Sequence, residues 1–263
     1  MGGKDKVVIL CGGLGTRLRE ETEFKPKPMV EIGGMPILWH ILKTYSHFGY
    51  NDFVLCLGYK GEHIKQYFLN HELMSQDFTL GLRGGKKTIH QSQGSVEDWN
   101  ITFAETGLNT LTGGRVKRIE KYVDSDRFML TYGDGVADID IRALVSFHRR
   151  MGTVGTLTCV NQPSRFGMVK MDAGGKVTEF VEKPVLHGDM INAGFYVFEK
   201  TFFDCLQDSE GCVLERAPLE RLSSEGKLAA YKHAGFWQCM DTYRDYLDLN
   251  GIWDSGKAKW KVW

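Results

Sequence analysis

Apolar positions along the chain follow two alternating rhythms. Short, nearly continuous apolar runs at Val7–Leu10, Phe53–Leu57, Phe128–Tyr132, Thr156–Val160 and Phe195–Phe198 read as buried strands, and unbroken runs of this kind mark a sheet covered on both faces. Between them the apolar residues space out by three and four. Ile37, Leu38, Ile41, Leu42, Tyr45 and Phe48 follow Pro36, Ile64 precedes Phe68, and Ile141, Leu144, Val145 and His148 form a third set. Each set predicts a helix with one apolar face, and Pro36 suits a first helical turn. Strand and helix in alternation imply an α/β fold: a single doubly wound, mostly parallel, Rossmann-like mixed sheet flanked by helices.

The pattern weakens between about Asn70 and Glu105 into strand-like pieces at Thr88–Gln91 and Ile101–Ala104. Further on, Val177–Phe180 pairs back across the turn Ala173–Lys176. A helix is predicted over Val213–Leu222, a strand over Leu228–Tyr231, and a last helix over Tyr243–Leu249. These make one domain, residues 1–235 as core and 236–263 as a C-terminal helix and tail, with small β appendages. Trp253, Trp260 and Trp263 crowd that tail. Such aromatics need burial, either on the body or on a second copy, so self-association is expected.

The loops after the strands carry the candidate chemistry. Val7–Leu10 runs into Cys11-Gly12-Gly13-Leu14-Gly15-Thr16-Arg17-Leu18, and Lys25-Pro26-Lys27-Pro28 comes soon after. Glycines let the backbone approach a ligand, and successive N–H groups in such a loop form a concavity for anions. Arg17 adds a planar fork for phosphate oxygens and Lys27 a compact positive charge. A P-loop would have Lys-Ser/Thr after its last glycine, whereas Gly15 is followed by Thr16-Arg17. A dinucleotide fingerprint would end in Gly or Ala where Leu18 stands. What remains is a polyphosphate site of another kind, or a plain strand-to-helix turn.

Asp134, between Gly133 and Gly135, follows the central strand, where open α/β sheets bind ligands. Asp241 precedes the last helix. Taken locally, Asp134 is equally a turn residue and Asp241 an N-cap; together they are the two carboxylates a magnesium ion would use alongside substrate phosphates. Thr112-Gly113-Gly114-Arg115-Val116-Lys117-Arg118-Ile119 reads as a loop opening a helix. Its cations oppose the helix dipole, which an anionic ligand or a solvated face would offset. His148 reads as packing. No Gly-x-Ser-x-Gly, Cys–His pair or zinc spacing appears. A phosphate monoester needs no such activation, being largely dianionic at pH 7.

Composition narrows the partners. Among 263 residues, Lys+Arg and Asp+Glu balance at 33 each, so no global field favours nucleic acid or an anionic membrane. No apolar run approaches the ~18 residues of a membrane span. The six cysteines form no C-x-x-C pair, and a reducing cytoplasm is the expected compartment.

Gly12-Gly13-Leu14-Gly15-Thr16-Arg17-Leu18 with Lys25-Pro26-Lys27-Pro28 about ten residues on resembles the signature of the sugar-1-phosphate nucleotidylyltransferases, and further matching segments extend along most of the chain. The resemblance implies that Gly12, Gly13, Gly15, Thr16 and Arg17 bind nucleotide, with Gly114 and Arg115 of the Gly-Gly-x-x-Arg-like segment adding to it. It implies catalytic roles for Arg17 and Lys27 and Mg²⁺ ligation by Asp134 and Asp241. Glu182-Lys183-Pro184 resembles the segment whose lysine holds the sugar phosphate and whose glutamate binds sugar hydroxyls; Asn192 in Ile191-Asn192-Ala193-Gly194 adds a hydrogen bond to the sugar. Arg165-Phe166-Gly167 matches a segment of structural use. Lys25–Val30, Thr112–Arg115, Tyr132–Asp138 and the tryptophan-rich tail look closest to members that join CTP to glucose 1-phosphate. Chemical reasoning alone leaves base and sugar open, with uridylyl or thymidylyl transfer, another phosphorylated acceptor and a non-catalytic nucleotide-binding subunit as alternatives.

Overall fold

In the computed structural model, which describes residues 5–74, 76–90, 97–161, 167–182 and 190–263, the apolar runs lie side by side in one seven-stranded sheet. The strands are β1 (Lys6–Leu10), β2 (Asp52–Leu57), β3 (Asn100–Glu105), β4 (Arg127–Tyr132), β5 (Gly155–Val160), β6 (Ile191–Glu199) and β7 (Leu228–His233). Their spatial order is β7-β5-β6-β4-β1-β2-β3. All run parallel except β6, which is antiparallel to both β4 and β5. The mixed, mostly parallel sheet expected from the sequence is thus present.

Continuous apolar runs make sense here because both faces are covered. Val7 and Ile9 of β1 point into one core and Val8 and Leu10 into the other, as the two-residue period of a strand requires. Val7, Val8 and Ile9 are fully buried, each contributing about 1.5–3 kcal/mol over an exposed position. Helix α1 (Ile37–His47) packs Ile37, Leu38, Ile41, Leu42 and Tyr45 on the first face. Helix α2 (Gly61–Met74) links β2 to β3, and the short α3 (Thr112–Arg118) lies against the second face through Val116. Helix α4 (Ile141–Met151) opens on Asp140, whose carboxylate accepts the Ala143 N–H at 2.9 Å, and closes on Gly152 at φ 62°. On its buried side His148 bonds Thr156 at 2.8 Å and Glu199 at 2.9 Å, a packed histidine as expected.

One helix starts later than its apolar spacing suggests. Helix α5 spans Ala217–Ser224 rather than Val213–Leu222. Pro218 occupies its first turn, where a missing N–H is harmless. The residues before it form turns instead, Leu214 stays buried in the second core, and its N–H goes to the Thr112 hydroxyl at 3.0 Å. Helix α6 (Tyr243–Asp254) is held at its start by a capping box between Thr242 and Asp245. Thr242 is therefore the N-cap and Asp241 is left for other work. The tryptophan tail packs on the body of its own chain, Trp253 and Trp263 partly buried against the first core. Trp260 is fully buried, stacks on Phe236 with centroids 5.3 Å apart, and donates its indole N–H to His40 Nδ1 at 3.4 Å. Two exposed ribbons, Phe78–Gly81 with Lys86–Ile89 and Met168–Met171 with Val177–Val181, form the small β appendages. No helix of the described residues is long and apolar enough to cross a membrane.

Candidate active site

The chain leaves β1 toward β2 on one side, while β4 lies on the other, so the carboxyl ends of β1 and β4 flank a topological switch point. Leu10 and Tyr132 are register partners there, and the Gly133 N–H donates to the Leu10 carbonyl at 3.0 Å. The glycine loop after β1 and Asp134 after β4 therefore emerge together. A cavity of about 290 Å³ opens above them, lined by Gly12, Gly13, Gly15, Thr16, Arg17 and Lys27, and on its far wall by Thr110, Leu111, Thr112 and Arg115. A second cavity of about 270 Å³ adjoins it, lined by Asn192, Gly194, Trp237, Cys239 and Asp241. Arg17, Tyr132 and Asp134 line both.

Charges converge at the junction. The Lys27 ammonium donates to Asp134 Oδ2 at 2.6 Å and Asp241 Oδ1 at 2.5 Å. Arg17 reaches the other Asp241 oxygen at 3.0 Å, and the Cys239 thiol donates to that oxygen at 3.6 Å. Burial works to lower the Lys27 pKa, but the two carboxylates outweigh it and the net direction is upward. Burial likewise pushes Asp241 up, and Lys27 with Arg17 more than reverses this, leaving its carboxyl below the ordinary value. Both groups are thus charged. Of three ammonium hydrogens two are engaged, so one remains for an incoming oxygen.

Asp134 and Asp241 could hold a divalent cation: their oxygens already meet on one positive point, the Lys27 nitrogen. Two carboxylates match the share of a magnesium shell that a protein ordinarily supplies, phosphates and water giving the rest. Among the described residues no cluster of three or more His, Cys, Asp or Glu side chains could hold a metal.

The glycines divide the labour. A Cβ on Gly12 would lie 2.1 Å from Arg115 Nη1, whereas one on Gly13 would meet nothing within 4 Å. Gly13 therefore leaves its backbone open to the cavity, and Gly12 makes room for Arg115. That arginine is 5% exposed. Its guanidinium donates to the carbonyls of Gly12, Leu57, Gly107 and Leu108 and to the Thr106 hydroxyl, at 2.8–3.2 Å. These bonds staple the loops after β1, β2 and β3 together, and the same residue lines the first cavity, where the nucleotide contact expected of it would be made. Gly114 is engaged elsewhere: its N–H goes to Cys212 O at 3.1 Å, and a Cβ there would lie 2.3 Å from Ser209 O.

On the sugar side, Asn192 lines the second cavity. Its Oδ1 accepts the Gly194 N–H at 3.0 Å and its Nδ2 donates to the Tyr196 hydroxyl. Glu182 is exposed at the end of the Val177–Val181 ribbon and lines neither cavity. Lys183, Arg165 and Phe166 lie outside the described residues. Sequence reasoning missed Tyr132, Thr112 and Glu215. The Tyr132 ring packs on Gly194, where a Cβ would lie 2.4 Å from its Cδ2, and its hydroxyl donates to Glu215. Its place directly before Gly133-Asp134 was the available signal.

The chain is 50% identical over 259 residues to the glucose-1-phosphate cytidylyltransferase of Salmonella typhi, covering 98% of this chain and 99% of that one. It is 45% identical over 258 residues to a probable glucose-1-phosphate cytidylyltransferase of Bacillus subtilis, covering 98% and 100%. HddC from Yersinia pseudotuberculosis shares the fold at a TM-score of 0.70 with 22% identity, over 95% of this chain and 100% of that one. A putative glucose-1-phosphate thymidylyltransferase from Bacillus anthracis does so at 0.69 with 18% identity, over 95% of each. With residues 6–252 matching the family described as Nucleotidyl transferase, on a doubly wound sheet whose switch point gathers glycine loop, cations and paired carboxylates, the chain belongs to the nucleotidyl transferase family.

Proposed function

We propose that the protein transfers the cytidylyl group of CTP to α-D-glucose 1-phosphate, giving CDP-glucose and pyrophosphate. The reading is carried by one observation: Arg17, Lys27, Asp134 and Asp241 meet at the junction of two adjoining cavities, one beside the glycine loop and one beside Asn192. Two substrates would then present their phosphates to the same cations. The choice of CTP and glucose 1-phosphate follows the Salmonella typhi and Bacillus subtilis relatives.

The chemistry asks for no protein nucleophile. A phosphate oxygen of the sugar ester bonds to the α-phosphorus of CTP, the bond from that phosphorus to the bridging oxygen breaks, and pyrophosphate departs with the electron pair. The backbone of Gly13 and Gly15 and the Arg17 guanidinium bind the triphosphate. Lys27 directs its remaining N–H at the α-phosphate as negative charge gathers there, Lys183 holds the phosphate of the sugar ester, and Asn192 and Glu182 bond the sugar. A magnesium ion held by Asp134 and Asp241 would screen phosphate charge. Holding two anions in line and neutralising them is the main work of phosphoryl-transfer catalysis in general.

Pyrophosphate release, measured for five nucleoside triphosphates against several sugar 1-phosphates with Mg²⁺, tests the reading. CTP with glucose 1-phosphate should stand at least tenfold above other pairs in kcat/KM, a gap of about 1.4 kcal/mol. A preference for UTP or dTTP would overturn the cytidylyl assignment, and binding without turnover for every pair would overturn the enzyme.

A further inference from the structure

We propose that Glu215 is a positioning residue: it anchors a one-way chain of hydrogen bonds that runs from the second cavity to the first and fixes the orientation of Asn192. The inference rests on the reading of those cavities as sugar-phosphate and nucleotide sites.

The direction of every bond in the chain follows from counting protons. The Thr112 hydroxyl, on the wall of the nucleotide cavity, accepts the Leu214 N–H at 3.0 Å and sends its own hydrogen to Glu215 Oε2 at 2.7 Å. Tyr132, on the wall between the cavities, sends its hydrogen to the other carboxylate oxygen. With that proton engaged, Tyr132 can only accept from the Tyr196 hydroxyl, 3.2 Å away. Tyr196 in turn can only accept from Asn192 Nδ2. The Gly194 N–H on Asn192 Oδ1 fixes the same amide orientation independently. One Nδ2 hydrogen is left over, on a residue lining the cavity it shares with Asp134.

An ionised carboxylate is an acceptor only, so it can end two incoming chains at once. A neutral group in its place would have to donate to one of them. Glu215 itself is exposed and precedes the first turn of α5, so the fold does not need its side chain for burial. Its carboxylate instead joins Thr112, Tyr132 and, through Tyr196, Asn192: three cavity-lining residues from three separate elements.

The test is a double-mutant cycle between Glu215 and Asn192, read in KM for glucose 1-phosphate, kcat and thermal midpoint. Glu215→Ala should raise that KM about tenfold, the size of one well-made hydrogen bond, with a smaller change in kcat and an unmoved melting curve. Glu215→Gln should fall between, since one amide oxygen replaces two acceptors. Glu215→Ala added to Asn192→Ala should raise KM no further. Additive effects, or a Glu215→Ala protein with unchanged KM, would overturn the chain. A readout without substrate keeps this apart from the functional reading: the Asn192 side-chain amide resonance, identified by its loss in Asn192→Ala, should shift in Glu215→Ala. An unmoved resonance overturns the chain even if wild type makes CDP-glucose. A shifted one upholds it even if wild type makes none.

Discussion

The nitrogen of Lys27 sits 2.6 Å from an oxygen of Asp134, and a second carboxylate, that of Asp241, meets it from another side at 2.5 Å. The lysine is thus the internal counterion of the pair expected to hold a divalent cation. Arg17, Lys27, Asp134 and Asp241 sum to no net charge, so a triphosphate gains a positive field at this point only if a further cation comes with it. Replacing the ammonium should then act in two directions. Lys27→Ala should lower turnover on the order of 10²–10³, as removal of one charge-stabilising donor does elsewhere. In the nucleotide-free protein, the same change should tighten Mn²⁺ binding at least tenfold, about 1.4 kcal/mol, because the carboxylates no longer hold an internal cation. Electron paramagnetic resonance of free Mn²⁺ measures the second effect without turnover. Unchanged affinity would mean that lysine and metal do not compete.

Arg115 illustrates a charge used inward. Losing its guanidinium removes five hydrogen bonds at once from carbonyls and a hydroxyl around three loops. Arg115→Met should lower stability by about 2–4 kcal/mol, since partly buried acceptors lose their partners. Urea denaturation checks this. A raised KM for CTP on an unchanged unfolding curve would instead show that its main work is the contact with nucleotide.

His40 makes stability depend on pH. It is fully buried, with Nε2 on the Ile32 carbonyl at 2.9 Å and Nδ1 facing the Trp260 indole. Burial pulls its pKa from 6.5 down to about 4, against opposing backbone hydrogen bonds. Between those values the unfolded chain binds the proton and the folded one does not, so stability rises with pH across the window. The contribution is complete above pH 6.5 and is lost progressively as pH falls toward 4. It amounts to about 3 kcal/mol. His40→Gln should flatten the fall in unfolding free energy between pH 6.5 and 4 by up to that amount. Parallel curves for the two proteins would place the acid sensitivity elsewhere.

The sheet was legible because strands buried on both faces must be apolar at every position, and no helix face imitates Val7–Leu10. Asp134 and Lys27 were legible too, being short-range features of loops that follow strands. The loop-joining bonds of Arg115 were not legible, because a cation beside a helix start looks the same locally whether it meets a ligand or a neighbouring loop. Its partners, Gly12 and Leu57, are 103 and 58 residues away in sequence. Gly58, where a Cβ would lie 2.5 Å from the same guanidinium, was a further sign that only the fold makes readable. The late start of α5 has a similar origin. Apolar spacing sees Leu214 and Leu222, but not that Leu214 N–H and Glu215 are held by Thr112, about a hundred residues earlier.

Gly12 and Gly13 are neighbours with opposite requirements, which makes them a test of how the loop works. An alanine at Gly12 would drive its Cβ to 2.1 Å from Nη1 and 2.4 Å from Cζ of Arg115. The guanidinium cannot retreat without releasing its bonds to Gly12, Leu57 and Gly107. Gly12→Ala should therefore cost about 1–3 kcal/mol of stability, the usual penalty of overpacking. Gly13→Ala has open space at the same atom, and Gly13 is not among the glycines at positive φ. Its stability should stay within about 0.5 kcal/mol of wild type, or rise slightly through a stiffer unfolded chain. If the Gly13 backbone lies against phosphate, the added methyl intrudes on that approach, and KM for CTP should rise about tenfold, about 1.4 kcal/mol of binding. Unfolding curves and CTP kinetics on the two variants should therefore separate, one losing stability and the other affinity. If Gly13→Ala keeps both, the phosphates are held by side chains alone.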